Sequence, residues 1–208
     1  FRMLTIFQER TVIDFGFLKR FYNEEVAKES SMSTKKKIIE LYMRNFFHNE
    51  DVSSKLKALA LEVLVLPVIA EVFSDKNTDN SEVINGELIS HIVKDVLGGD
   101  KGKSASEDLL IQLLKFGTMM MEYMSEALTV HRKDLIKFAW NHLKSSDNIT
   151  KNWAYVNVCR FISMYETPPK IILQVYVALL RAYKIERALV SKALDILVPA
   201  LPIRLPKD

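Results

Sequence analysis

Between Ala58 and Phe73 the chain runs apolar, interrupted only by Glu62, Pro67 and Glu71, and no other stretch restricts the fold as much. A membrane-crossing helix needs about 20 apolar residues with few or no charges. This run is shorter, carries two glutamates and contains a proline, so it reads as a buried helix and no membrane partner is expected. A helix that is apolar nearly all round has to be covered on several sides, which a layered stack of helices achieves and a two-helix hairpin does not. Six glycines in 208 residues fall well below the usual share of about 7% and leave too few turn-formers for a many-stranded sandwich or a doubly wound sheet. With 49% hydrophobic residues the chain can bury a sizeable core, which excludes wholesale disorder.

The remaining sequence repeats the helical pattern. Apolar residues at helical spacing from Met3 to Lys28, with a break around Asp14-Phe15-Gly16, predict two short helices. A polar stop from Ser30 to Thr34 supplies N-caps for a third, which carries Lys35-Lys36-Lys37 and then Ile38, Ile39, Leu41, Tyr42, Phe46 and Phe47. After the apolar run, Asp75 to Ser81 reads as a polar loop and Glu82 to Leu97 as an amphipathic helix closed by Gly98-Gly99. Ser104-Ala105-Ser106-Glu107 matches a capping box, predicting a long helix to about Val130. Helices over Asp134 to Leu143 and Ile149 to Tyr165 follow. Thr167-Pro168-Pro169 then ends one helix and starts the next, with the threonine as cap and proline in the first turn. That helix carries two adjacent seams: Ile171, Val175 and Leu179, beside Ile172, Tyr176, Leu180 and Tyr183. A last helix runs through Leu189, Val190, Ala193, Leu194, Leu197 and Val198 before three prolines.

Nine or ten helices with short polar turns and no alternating strand pattern predict an all-α fold. Ala60 to Pro67 is echoed by Ala193 to Pro199, about 133 residues later. That is close to three units of about 44, within the span of HEAT or armadillo helix pairs. The expected fold is therefore a HEAT-like α-solenoid of stacked antiparallel helix pairs, which offers surface rather than a pocket. Sub-units are expected at 1–50, 51–103, 104–145 and 146–208, all part of one larger helical-repeat array. Phe1 at the start and Lys207-Asp208 at the close suggest a segment cut from a longer chain. No stretch combines a basic start, an apolar core and a small-residue cleavage site, so no secretory signal stands within these residues.

Candidate chemistry is sparse. Gly98-Gly99-Asp100-Lys101-Gly102-Lys103-Ser104 suggests a phosphate loop, but Leu97 stands where that loop needs glycine and a helix precedes it instead of a strand; a linker is the plainer reading. His48, His91, His131 and His142 show no i, i+3 or i, i+4 pair, so no metal is expected. His131-Arg132-Lys133-Asp134 faintly resembles a kinase catalytic loop, yet the other kinase elements are missing and a basic helix start fits better. Cys159 lies among Val156, Val158 and Ile162 and reads as core; as the lone cysteine it excludes a disulfide framework and points to a reducing compartment. Glu24-Glu25 and Glu50-Asp51 read as solvated faces. Lys35-Lys36-Lys37 is short of a full basic localisation cluster. Met119-Met120-Met121 and Met124, beside Phe116 and Leu128, read as core rather than as a soft binding surface. No catalytic, cofactor or metal residue is nominated, and binding residues are not located. The half before Ala105 carries 15 basic against 16 acidic residues and the rest 14 against 10, too even for a nucleic-acid reader.

From His131 onward the chain is more specific. Leu135 to Leu143, Lys170 to Arg181 and Glu186 to Leu205 resemble the transformation/transcription-domain-associated proteins and their fungal counterparts. The similarity includes Gln174-Val175-Tyr176-Val177-Ala178-Leu179-Leu180 and Ala193-Leu194-Asp195-Ile196-Leu197, and extends more weakly over Lys55 through Phe73. These are very large scaffolds of the phosphatidylinositol-3-kinase-related class. The resemblance implies a HEAT-repeat slice well before the kinase-like end, which would itself be catalytically dead. It also implies a nuclear platform within SAGA-type and related histone acetyltransferase complexes, contacted by transcription activators. Neighbouring repeats and complex subunits would be the partners. The loop Asn77 to Ser81 and the linker Gly98 to Lys103 look short or divergent beside animal members, which leans toward a fungal member. The alternatives are a segment of an active kinase of that class or of a HEAT-repeat transport adaptor.

Overall fold

The structure, a computed structural model, describes residues 1, 4, 15–75, 80–99, 105–183 and 187–205. Among them there is no strand, and the chain divides into two compact units, Phe1–Gln112 and Leu113–Asp208.

In the first unit, helix α1 runs Phe15–Phe21 and continues through Tyr22–Lys28. Helix α2 runs Met32–Leu41 and continues through Tyr42–Phe46. Helix α3 is built from Ser54–Ala60, Leu61–Val65 and Leu66–Ser74. The short α4 covers Asn80–Val83, and α5 covers Gly86–His91 with Ile92–Leu97. The second segments of α1, α2 and α5 and the middle of α3 widen to i→i+5 turns, as where Phe47 N–H donates to Tyr42 O at 2.9 Å and Gly98 N–H to Val93 O at 2.9 Å. Side-chain caps fix the starts. Ser31, Ser53 and Asn85 accept from the amides of Thr34, Leu56 and Leu88 at 3.3, 3.2 and 2.9 Å.

Helix α3 is buried almost all round, as its composition requires. Leu61, Val63, Leu64, Val65, Val68, Ile69 and Val72 are all core, and α3 packs on α1, α2 and α4. Pro67 sits inside the continuous helix, where the i→i+5 turns of Leu61–Val65 pass back into the α-helical Leu66–Ser74 segment, a widening that accommodates a residue without an amide hydrogen. The Tyr42 hydroxyl donates to Lys57 O at 2.8 Å inside the core, and burial pushes its pKa up.

The second unit holds most of α6 (Glu107–Tyr123), then a turn Thr129–His131, α7 (Arg132–His142), α8 (Asn148–Met164), α9 (Pro169–Ala182), α10 (Arg187–Leu197), a turn Val198–Ala200 and α11 (Leu201–Arg204). Asp147 caps α8, accepting from Thr150 N–H at 2.7 Å. One apolar cluster joins α7 to α10: Ala139, Val156, Val158, Cys159, Ile162, Ile172, Val175, Leu179, Val190, Ala193 and Leu197. Buried Asn157 pins α8 to α6 by donating to Leu114 O and Thr118 Oγ1, both at 3.0 Å. The Trp153 ring takes the ammonium groups of Lys115 and Lys192 at 5.2 and 4.6 Å from its centre.

Several boundaries differ from those expected. The helix predicted over Glu82 to Leu97 is two, because Asn85 caps a fresh start at Gly86, and helix already occupies Asn80 and Ser81 within the predicted loop. The helix expected to reach Val130 stops at Tyr123. Ser125 O there takes a hydrogen bond from the Tyr165 hydroxyl at 2.8 Å, while Leu128 turns into the core. Thr167 does not cap α9: its hydroxyl donates to Tyr165 O at 3.3 Å, and Pro168 holds the cap position with no side-chain bond. The first of the two helices read over Met3 to Lys28, apart from Leu4, and the Ser104 cap lie outside the described residues. The helix after that cap begins at Glu107, with Ser106 O accepting from Leu110 N–H at 2.8 Å.

Candidate functional site

The residues whose chemistry the sequence raised and set aside are mostly part of the packing. Cys159 is fully buried and its thiol is pushed up to about 12 by desolvation, far from a reactive thiolate. Met120, Met121 and Met124 are core and Met119 is half-buried, as their spacing predicted. His131 is buried at the turn before α7, which Arg132 opens. Lys35-Lys36-Lys37 does not act as one basic patch. Lys35 is buried, Lys36 donates to Glu82 O at 3.0 Å and Lys37 is exposed. Glu24 is solvated, and its carboxyl is held below the ordinary range chiefly by the Lys28 ammonium at 2.6 Å and also by Asn23. Gly98 and Gly99 end α5, while 100–104 of the suggested phosphate loop lie outside the described residues.

One pairing was invisible in sequence. His48 and His91, 43 residues apart, bring their rings to 5.2 Å. His91 Nδ1 lies 2.8 Å from Asp95 Oδ2 and Nε2 lies 3.0 Å from Met43 O, so this ring ties α5 to α2. Beside it, Arg44 pairs with Glu87 at 2.8 Å between the same two helices. These contacts are structural. Among the described residues no group of three or more His, Cys, Asp or Glu could hold a metal ion, and no helix is long and apolar enough to cross a membrane.

What the second unit offers outward is a surface. On α9 the covered stripe is Ile172, Val175 and Leu179, combining parts of both predicted seams. About 130° further round the helix, Leu173, Val177 and Leu180 are 50%, 43% and 50% exposed, and exposed Tyr183 lies between the two stripes. A shallow cleft of roughly 420 Å³ runs beside them, lined by Lys170, Leu173, Gln174, Val177, Ala178 and Arg181. In the first unit a second cleft, of roughly 350 Å³, is lined by Lys19, Arg20, Asn23, Glu24, Glu62, Val63 and Pro67 and is crossed by a Lys19–Glu62 ion pair at 2.6 Å. The apolar α9 stripe suits burial against another helix. The charged first-unit cleft is already paired and solvated.

The Tra1 HEAT repeat ring region matches this chain over residues 1–208. The chain belongs to the Tra1 HEAT repeat ring family. Its helices accordingly fall in the expected HEAT-type α-solenoid class, and the resemblance carried by Leu135 to Leu143, Lys170 to Arg181 and Glu186 to Leu205 is to this family. A Dictyostelium discoideum relative named probable transcription-associated protein 1 is 41% identical over 210 residues, 99% of this chain and 5% of the relative. The Schizosaccharomyces pombe SAGA complex/NuA4 acetyltransferase complex subunit Tra1 is 28% identical over 85% of this chain and 5% of its own length. The human transformation/transcription domain-associated protein is 28% identical over 99% of this chain and 6% of its own. The chain therefore spans about a twentieth of the Tra1-family relatives it matches. No solved structure matches it.

Proposed function

We propose that this chain is a noncatalytic scaffold segment of a transcription coactivator subunit, working in the nucleus within SAGA-type and related histone acetyltransferase complexes. In this reading its helix pairs pack on neighbouring repeats of the parent chain. Its exposed faces organise other subunits and offer contact to activators, while the parent's kinase-like end is catalytically dead. The observation that carries the reading is the Tra1 ring match over the whole chain, with relatives named for acetyltransferase complexes and for transcription. The α9 stripe supports it, because half-exposed Leu173, Val177 and Leu180 form a face suited to packing rather than to bond-making.

The test is affinity purification of the full-length parent followed by identification of what co-purifies. Acetyltransferase subunits are expected, and a clean preparation lacking them overturns the assignment. The noncatalytic part is tested separately. Intact Asp-Phe-Gly and His-Arg-Asp elements in the parent's kinase-like end, with phosphate transfer by the purified protein, would overturn it.

A further inference from the structure

We propose that the exposed face of α9 is a docking site for an amphipathic helix of a second polypeptide, one whose carboxylates meet Lys170 at one end and Arg181 at the other. The inference rests on the scaffold reading and names the partner chemistry of that surface.

The argument begins with the composition of α9. Pro169–Ala182 contains no acidic residue, and its two cations stand near its ends. Eleven positions separate Lys170 from Arg181, about 16 Å of helix rise. Both are exposed, both line the cleft, and neither forms an ion pair among the described residues. Between them lie Leu173, Val177 and Leu180 at i, i+4 and i+7, the spacing by which one helix takes up another along a groove. An uncharged helix laid over this face would strip water from both cations and return no partner, a net cost. A helix with Asp or Glu near each end of its apolar stripe covers the aliphatic anchors and pairs both cations.

The chemistry also separates this face from the packing that builds the repeats. The contact of α8 with α10 draws on Val158, Cys159, Ile162, Val190, Ala193 and Leu197, all buried and uncharged. The internal echo points to α10 as the helix on which stacking continues. Leu61 and Val65 on α3 are fully buried, whereas their counterparts on the α10 side, Leu194 and Val198, are half-buried and exposed. A further repeat is thus called for over Leu194 and Val198. The α9 stripe, bulky and ended by free cations, asks for a different occupant.

The test uses the full-length parent in its purified complex, with a photo-crosslinking amino acid in place of Val177. The expected product joins α9 to a segment of another subunit that is apolar at i, i+3 or i+4, and i+7, with Asp or Glu flanking that stripe. Lys170→Glu with Arg181→Glu should lower the yield at least ten-fold, Lys170→Gln with Arg181→Gln should lower it less, and exchanging the partner's carboxylates for lysine should restore it to the Glu variant. A crosslink to the parent's own chain, a product without flanking carboxylates, an unchanged yield in the Glu variant, or no crosslink overturns the proposal. If acetyltransferase subunits still co-purify in those cases, the scaffold reading stands without this site; if they are absent from the wild-type preparation, the scaffold reading itself has failed.

Discussion

At the scale of single residues, what the sequence shows plainly is whatever depends on near neighbours. Cys159 sits three and one residues from Val156 and Val158, so its place in the core follows from helical spacing, and its thiol raised to about 12 follows from that burial. It should resist alkylation at pH 8 in the folded chain and react fully once denatured; fast native labelling, followed by mass, would contradict the core assignment. Asp147, the cap of α8, was not singled out in the sequence. Its hydrogen bonds from Thr150 hold its carboxyl below the ordinary 3.8. A folded-state value below the unfolded one means the stabilisation is present above about pH 3.8 and fades as pH falls through the folded-state value. Asp147→Ala should cost about 1 kcal/mol at pH 7 in denaturant titrations, with the deficit shrinking below pH 3.8. A deficit independent of pH would show that the cap is not the cause. The Asn157 amide and the His48–His91 pair were not legible, because their partners lie about 40 residues away and no local pattern marks them.

At the scale of elements, the all-round apolar α3 could be read directly, but several helix ends could not. Ser125 to Leu128 contains helix-compatible residues, and only the distant Tyr165 hydroxyl on Ser125 O shows why the helix has already ended. Gly98-Gly99 marks a helix end correctly but for a different physical reason than the left-handed cap that glycine often provides. No glycine among the described residues has positive φ, and a Cβ on Gly99 would collide with the backbone oxygen of Asp95. The requirement is close approach to the preceding turn. Gly99→Ala should therefore destabilise the first unit by more than about 1 kcal/mol. Gly86, in the first turn of α5, has nothing within 4 Å of an added Cβ. Gly86→Ala should leave stability unchanged or raise it by up to about 1 kcal/mol through a stiffer unfolded chain. Equal effects of the two substitutions on the urea midpoint would refute this distinction.

For the whole molecule, periodicity reveals how much of each helix is apolar and leaves open which part the fold covers. On α9 the two predicted seams cover about half of the helix circumference, and Leu173 and Val177 stand in neither of them. Packing selects Ile172, Val175 and Leu179 and leaves Leu173, Val177 and Leu180 facing water. That choice depends on neighbours, and a chain spanning about a twentieth of its relatives carries few of them. An apolar stripe without its occupant is covered in solution by whatever is at hand, including a second copy. The 208-residue chain on its own should accordingly self-associate as concentration rises, read by sedimentation velocity over a hundred-fold range. Leu173→Asp with Val177→Asp should shift it toward monomer without loss of helical circular dichroism, since both side chains are about half exposed and contribute little to the core. A wild-type chain that stays monomeric at the highest concentration would mean these faces need no cover, and the case for α9 as a docking surface would lose its driving force.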